Sequence, residues 1–415
     1  MNSKQSGRRR FLKKGGAALV GMAVGGIRPA RGQTTEPPIP PEGFRPVGER
    51  SRFVKTARIP VRPRSPHSFT PQQDSVGIIT PAALHFMASH GHIPPDIDPQ
   101  EHRLLIHGLV DRPMILTLEE MKRFPSVSRI HFVECAGNSS PNDRSRWVAE
   151  TIQQTHGFTS CSEWTGVLLS VLLKEAGVQS GASWLLAEGA EEGKHTKSIP
   201  LEKAMDDVLV AYGQNGEPVR PEQGFPLRLV VAGWEGVNNV KWLRRIKVTD
   251  QPYMTKSESS GYTSLRLDGK ARWFNFELGP KSVLTFPAPG GRPLSGRGFY
   301  EITGLAWSGG AAVRRVEVST DGGRTWKDAQ LQEPIHRIAH TRFRFNWNWD
   351  GEETVLQSRC TDDRGQVQPT LAEFCKVLGI SLDYIKTTTN NVSRFNATYP
   401  WRVSRDGSVH NALFS

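Results

Sequence analysis

The apolar run Ile130-His131-Phe132-Val133-Glu134 ends in Cys135, and Ala136, Gly137, Asn138 and Ser139 follow it. A strand that stops at a cysteine and turns through small residues leaves the sulfur at the mouth of a fold, where backbone can approach a bound group closely. A thiolate there serves as a nucleophile, a metal ligand or half of a disulfide; a cysteine buried as a small hydrophobe is the plainer alternative. Three further cysteines, Cys161, Cys360 and Cys375, complete the set. None falls in a Cys-x-x-Cys or Cys-x-x-Cys-His spacing, which argues against an iron–sulfur cluster, a zinc ribbon or a covalent haem. With no haem expected in this chain, electrons from a redox reaction here must leave through another protein. An exported binding protein stapled by two disulfides among these cysteines is the non-enzymatic alternative.

Residues 1–32 are expected to be a twin-arginine signal peptide. Arg8-Arg9-Arg10-Phe11-Leu12-Lys13 precedes a modest apolar run over 15–27 and a small-residue exit at Ala30-Arg31-Gly32. The run is too short and too glycine-rich for a membrane span. Export by this route delivers folded proteins to the periplasm, often with a cofactor already loaded. The signal also accounts for much of the charge: eight Lys and Arg residues before Gly32, with no acid among them, leave +4 of the formal +12. Without a basic block interleaved with aromatics, nucleic acid is not an expected partner.

The elements that must position Cys135 follow from pattern. A chain of 415 residues, 37% hydrophobic, can build two cores, and 29 Pro with 40 Gly favours strands and loops over long helices. Residues 33–75 read as an extended N-terminal arm, with order beginning near Val76. A mixed α+β catalytic domain is expected over 76–255. Within it fall strands near 104–110, 184–187, 208–212 and 227–232, a short helix capped by Thr117 and Glu120 and stopped by Pro125, and a helix over 167–176. A connecting segment spans 256–297. Over 298–386, alternating strands near 300–307, 313–318, 341–349 and 354–360, with an Asp-Gly-Gly turn at 321–323, predict an immunoglobulin-like antiparallel β-sandwich. The fold class is therefore α+β, closing with a C-terminal extension over 387–415.

Four stretches in order, His131 to Asn138, Gly224-Phe225-Pro226-Leu227-Arg228, Val240-Lys241-Trp242-Leu243, and Ala306-Trp307-Ser308-Gly309-Gly310 through Val318-Ser319-Thr320-Asp321-Gly322-Gly323-Arg324-Thr325-Trp326, resemble the sulfite oxidase family of molybdopterin enzymes. The likeness runs from about residue 80 to the C-terminus. Within that family, Cys135 to Ser139 and Gly233-Trp234-Glu235-Gly236 are most similar to the sulfane dehydrogenases of bacterial thiosulfate oxidation. The resemblance implies that Cys135 is the protein thiolate on molybdenum, beside the two dithiolene sulfurs of one molybdopterin. A soft, electron-rich sulfur suits a redox metal of this kind.

By the same resemblance, Phe86, Met87, Ala88, Ser89 and His90, with Gln223, Arg228, Asn239, Val240 and Lys241, hold the pterin and its phosphate. Tyr262 matches the family's active-site tyrosine, and Arg394 matches a third arginine near the C-terminus. Two positions depart from the family pattern: Ala88 stands where a sulfite-binding arginine is expected, and Ser140 where a basic residue follows the metal cysteine. A small dianion needs clustered cations to offset its desolvation, so these departures point to sulfur presented on the cysteine arm of a carrier protein. The implied partners are that carrier, a c-type cytochrome subunit as electron acceptor, and a second copy of the chain through the β-sandwich. A sulfite:cytochrome c oxidoreductase acting on free sulfite is the enzymatic alternative.

Overall fold

Strand pairing accounts for most of the regular structure, and short helices join the strands. The structure is a computed structural model that describes residues 50–61, 65–89, 93–141, 151–265, 268–274, 276–387 and 392–414. The expected signal peptide, the arm over 33–49 and His90 lie outside the described residues. Residues 50–55 group apart from the rest and form a turn in which Val54 N–H donates to Ser51 O at 2.9 Å. Every element below lies in the unit Thr56–Ser415.

The first half comprises β1 (Ile59–Pro60), β2 (Ser68–Phe69), β3 (Leu104–Gly108), β4 (Met114–Leu116), α1 (Leu118–Met121), β5 (Ser126–Glu134), α2 (Ile152–His156), β6 (Thr159–Leu168), α3 (Leu169–Ala176), β7 (Trp184–Gly189), β8 (Thr196–Pro200), α4 (Leu201–Asp206), β9 (Leu209–Gln214), β10 (Glu217–Pro218), β11 (Arg228–Val230) and β12 (Leu243–Thr249). They form two five-stranded sheets, one ordered β10-β9-β6-β5 with β11 also on β9, the other β4-β3-β12-β7-β8. Only the β12–β3 pairing among these is parallel. Leu104, Ile106, Leu172, Leu185 and Ile246 pack the core between the second sheet and α3. The expected capping box is present, Thr117 Oγ1 accepting from Glu120 N–H at 3.1 Å while Glu120 Oε2 accepts from Thr117 N–H at 2.9 Å.

Two boundaries differ from expectation. The helix expected from Val167 starts at Leu169, because Trp164 to Val167 pair with both β5 and β9, Leu168 still pairs with β9, and Gly166 presses against the Val210 backbone. Two-sided ladder bonding outweighs the helical spacing of the leucines. Order also begins before Val76. Phe69, Thr70 and Gln72 are buried, and Gln72 Nε2 donates to Thr159 O at 2.7 Å, so this part of the expected arm is stitched onto β6.

The second half adds β13 (Ser264–Leu265), β14 (Ala271–Arg272), β15 (Lys281–Phe286), β16 (Gly298–Trp307), β17 (Val313–Ser319), β18 (Lys327–Asp328), β19 (Gln330–Leu331), β20 (Thr341–Trp349), β21 (Thr354–Asp362), α5 (Leu371–Leu378), α6 (Leu382–Thr387), β22 (Trp401–Val403) and β23 (Val409–Asn411). The sandwich sets β15-β16-β20-β19 against β18-β17-β21-β22-β23. Its sheets therefore draw strands from both sides of the expected 298–386 span: β15 from the connecting segment and β22–β23 from the C-terminal extension. The reason lies in the core. Trp307, Phe343 and Trp401 are buried together, and Phe132, Ile152 and Cys161 of the first half join the same cluster. Sandwich and catalytic sheet thus share apolar contacts behind the strand that leads to Cys135.

Candidate active site

β5 carries the cysteine to the end of its ladder. Glu134 pairs with Thr159 of β6, and the next N–H, that of Cys135, donates to Phe158 O at 3.0 Å. Asn138 N–H returns to Cys135 O at 2.9 Å, and Ser139, at φ 61°, donates to Thr155 O at 2.9 Å. Gly236 packs against this turn: a Cβ there would stand 2.8 Å from Glu134 O and 3.2 Å from Cys135 Cα, so a larger residue would displace it. Half-buried Cys135 opens into a cleft lined also by His85, Phe86, Ala88, Arg228, Lys241 and Tyr262. A larger groove near Leu118, Tyr212 and Phe225 brings none of the motif side chains together apart from its Phe225-Pro226 rim.

Behind the turn sits a buried ion pair. Glu134 Oε1 accepts from Lys281 Nζ at 2.7 Å and from Asn138 Nδ2 at 2.8 Å, while Oε2 accepts from Trp307 Nε1 at 2.7 Å. The Lys281 and Glu134 side chains are 3% and 4% exposed. Lys281 opens β15 and Trp307 closes β16, so the sandwich grips the residue that precedes the cysteine.

The same cleft is lined by two cations that stand in no ion pair among the described residues. Arg228, first in β11, donates from Nη1 to Gln223 O at 2.9 Å, stacks 4.6 Å from the Trp164 ring centroid, and keeps a buried Nε with no protein partner. Lys241 Nζ donates to Glu222 O at 2.9 Å. Burial holds Arg228 down at about 9, and burial together with the nearby Arg228 charge holds Lys241 down at about 7. Two cations so placed call for an anion, and a phosphate meets both the planar fork of the arginine and the point charge of the lysine. His85 is neutral here, burial pushing it down to about 3. Its Nδ1 lies 3.0 Å from Phe86 O, and its Nε2 is a buried polar atom with no protein partner. This unfilled bonding capacity fits a polar, anionic group such as the pterin and its phosphate, with Cys135 lining the same cleft.

Tyr262 lines the same cleft as Cys135. Burial, and then the charges of the Cys135 thiolate and Glu235, push its phenol well above the usual range, so it keeps its proton and remains a donor. Lys197 Nζ lies 5.7 Å from its ring centroid and pairs with Glu258 at 3.3 Å, both side chains buried. Arg394, at φ 57°, donates its backbone N–H to Ala136 O at 2.9 Å, and its Nε lies 3.2 Å from Glu235 Oε1. Burial pushes the Glu235 carboxyl up to about 7 against the pull of Arg394.

The cleft gathers Cys135, Phe86, Ala88, Gln223, Arg228, Asn239, Lys241 and Tyr262 as the motifs imply. It does not bring Met87, Ser89, Val240 or Arg394 to its wall. Met87 bonds the Ser68 backbone in both directions, Ser89 is buried, and Val240 sits in the core behind the second sheet. Sequence reasoning missed His67, His85 and Val237 on the wall and Glu235 behind it. His85 carried a signal in its adjacency to Phe86, and Glu235 in its place within the Gly233-Trp234-Glu235-Gly236 motif. The disulfide-stapled alternative is not met: none of the four cysteines is in a disulfide, and burial pushes the Cys161 thiol up to about 12. Among the described residues no cluster of His, Cys, Asp or Glu has the makings of a conventional metal cage, and no helix is long and apolar enough to cross a membrane.

Several known proteins are similar to this chain. Residues 90–257 match the oxidoreductase molybdopterin binding domain, and 273–386 match the Mo-co oxidoreductase dimerisation domain. The fold superposes on the sulfane dehydrogenase SoxCD of Paracoccus pantotrophus with a TM-score of 0.80 and 40% identity, covering 87% of this chain and 91% of that one. The chain is 31% identical to mitochondrial sulfite oxidase of Mus musculus over 342 residues, 75% of this chain and 61% of that protein. It is 36% identical to nitrate reductase [NADH] 1 of Oryza sativa subsp. japonica over 310 residues, 66% of this chain and 33% of that protein. The chain thus spans about a third of the length of the plant nitrate reductases it matches.

Proposed function

The chain belongs to the sulfite oxidase family of molybdopterin oxidoreductases, and on that premise we propose that it is a sulfane dehydrogenase subunit that oxidises sulfur bound to a carrier protein during thiosulfate oxidation. The observation that carries this reading is Ala88 on the cleft wall, where the family pattern has an arginine for free sulfite. The 40% identity to a sulfane dehydrogenase supports it. In this reading the protein works in the periplasm after twin-arginine export. It pairs with a second copy through the β-sandwich and passes electrons to a c-type cytochrome, since the sequence has no haem-attachment motif of its own.

When bound, molybdenum-molybdopterin supplies the two-electron redox chemistry and oxygen transfer to sulfur. The chain does the rest. Cys135 would hold the metal, and Arg228, Lys241, Gln223 and His85 would anchor the anionic end of the cofactor in the cleft that Tyr262 also lines. The Tyr262 hydroxyl, kept protonated by its surroundings, would donate a hydrogen bond to the oxygen gained by the sulfur as charge builds there. Each two-electron step adds one water oxygen to the sulfur and releases two protons and two electrons.

The decisive assay offers the metal-loaded protein either free sulfite or a sulfur-loaded carrier protein, with oxidised cytochrome c as acceptor. Turnover is expected with the loaded carrier and only weak activity with free sulfite. A micromolar Michaelis constant for free sulfite without a carrier would instead establish the sulfite:cytochrome c reading. A variant tests the anchor. Arg228→Met keeps the apolar packing on Trp164 but removes the charge, so cofactor retention is expected to fall by about 10- to 100-fold. Freed of a buried cation, its cofactor-free form should unfold at a temperature no lower than that of the wild type, as calorimetry would record.

A further inference from the structure

The charges around the cleft are unevenly balanced. At the cofactor end Arg228 and Lys241 have no carboxylate partner among the described residues. Near Cys135 and Tyr262, three cations of the described residues each have one: Lys281 with Glu134 at 2.7 Å, Lys197 with Glu258 at 3.3 Å, and Arg394 with Glu235 at 3.2 Å. Arg394 is a family-matched cation beside the cysteine turn, its backbone N–H donating to Ala136 O at 2.9 Å. Its partner is held firmly. Glu235 is 2% exposed, its N–H donates to Phe276 O at 3.0 Å, its carbonyl accepts from Asn238 N–H at 2.9 Å, and the next residue is the Gly236 that packs under Cys135.

We infer that Glu235 is a specificity-determining residue: by pairing with Arg394 beside the Cys135 turn, it neutralises the substrate end of the cleft and selects against small free dianions. Sulfur on a protein arm does not need that cation, because docking supplies its binding energy, whereas free sulfite must offset the loss of its own hydration. Glu235 acts through Arg394 and touches no reacting atom. Its role deepens the carrier reading above and rests on it for its biological sense, but the charge balance can be tested separately.

The test uses molybdenum-loaded protein, free sulfite and ferricyanide at about pH 8, where the Glu235 carboxyl is ionised. Removing one buried opposing charge within 4 Å of a cation changes its attraction for an anion by several-fold to orders of magnitude. Glu235→Gln is therefore expected to raise kcat/KM for free sulfite at least about tenfold through a lower KM, with kcat little changed. Glu235→Asp, which keeps the charge, should behave as wild type, and Glu235→Gln combined with Arg394→Gln should lose the gain. An unchanged or higher KM in Glu235→Gln overturns the proposal. So does loss of molybdenum from both Glu235→Gln and Glu235→Met, for Glu235 would then be a structural prop. Turnover of the loaded carrier by the same preparations keeps the two ideas apart. A wild type inactive on the carrier removes the carrier reading and leaves the sulfite gain standing, while a flat sulfite KM removes only the role of Glu235.

Discussion

Cys135→Ser is expected to cut turnover by more than about a hundredfold while leaving the fold intact, and to remove the visible absorption that a thiolate ligand would give its metal. The cause is acidity. A thiol beside a metal is held as the thiolate, the form that binds, whereas a serine hydroxyl keeps its proton and offers only a hard, weak donor. The fold survives because the turn is fixed by backbone, through Cys135 N–H to Phe158 O and Asn138 N–H to Cys135 O, and serine keeps both bonds. Cys375→Ser, on α5 in the sandwich half, is the matched control and should retain wild-type turnover and absorption. Elemental analysis, absorption spectroscopy and circular dichroism on the purified variants decide the matter. A Cys135→Ser protein with wild-type absorption and turnover would remove the cysteine from the metal.

What the sequence reveals and what it hides divide along contact distance in the chain. The turn around Cys135, the capping box at Thr117 and the strands of the sandwich are all local patterns, visible because a few adjacent residues determine them. Arg228, Lys241 and Tyr262 are legible only through motifs, since no local rule says that a strand-end arginine and a lysine 13 residues later will meet across a cleft. The charge partners are harder still. Glu235 and Arg394 lie far apart in sequence, and nothing in the Trp234-Glu235-Gly236 stretch indicates that its acid is buried against a distant cation. The same holds for β15 and for β22–β23, whose places in the sandwich follow from pairing with β16 and β21 and not from their own short sequences. The helix expected from Val167 shows the converse: its periodicity is real, but the ladder between β6 and β9 claims its first two residues.

The pair that ties both halves together, Glu134 with Lys281, gives the largest expected effect on stability. The two residues are 147 positions apart in the chain. Lys281→Met keeps the length of the side chain and removes its charge, leaving a buried carboxylate with only Asn138 Nδ2 and Trp307 Nε1 as donors. Breaking a buried pair from one side costs about 3–5 kcal/mol, because the remaining charge is still out of water. The two surviving hydrogen bonds bring the expectation to the lower end of that range. Adding Glu134→Gln removes the orphaned charge, so the double variant should recover a large part of the loss, and urea unfolding of the four proteins in the cycle measures the coupling directly. If Lys281→Met matches wild type, the ion pair carries no weight in the fold. The consequence reaches the site as well: Glu134 is bonded to the residue that begins the cysteine turn, so a carboxylate pulled toward water in Lys281→Met drags that turn from its place beside Gly236. Cofactor retention in Lys281→Met is therefore expected to fall with stability and to return with it in the double variant, a correlation that a purely global loss of stability would not restore at matched temperature below the unfolding transition.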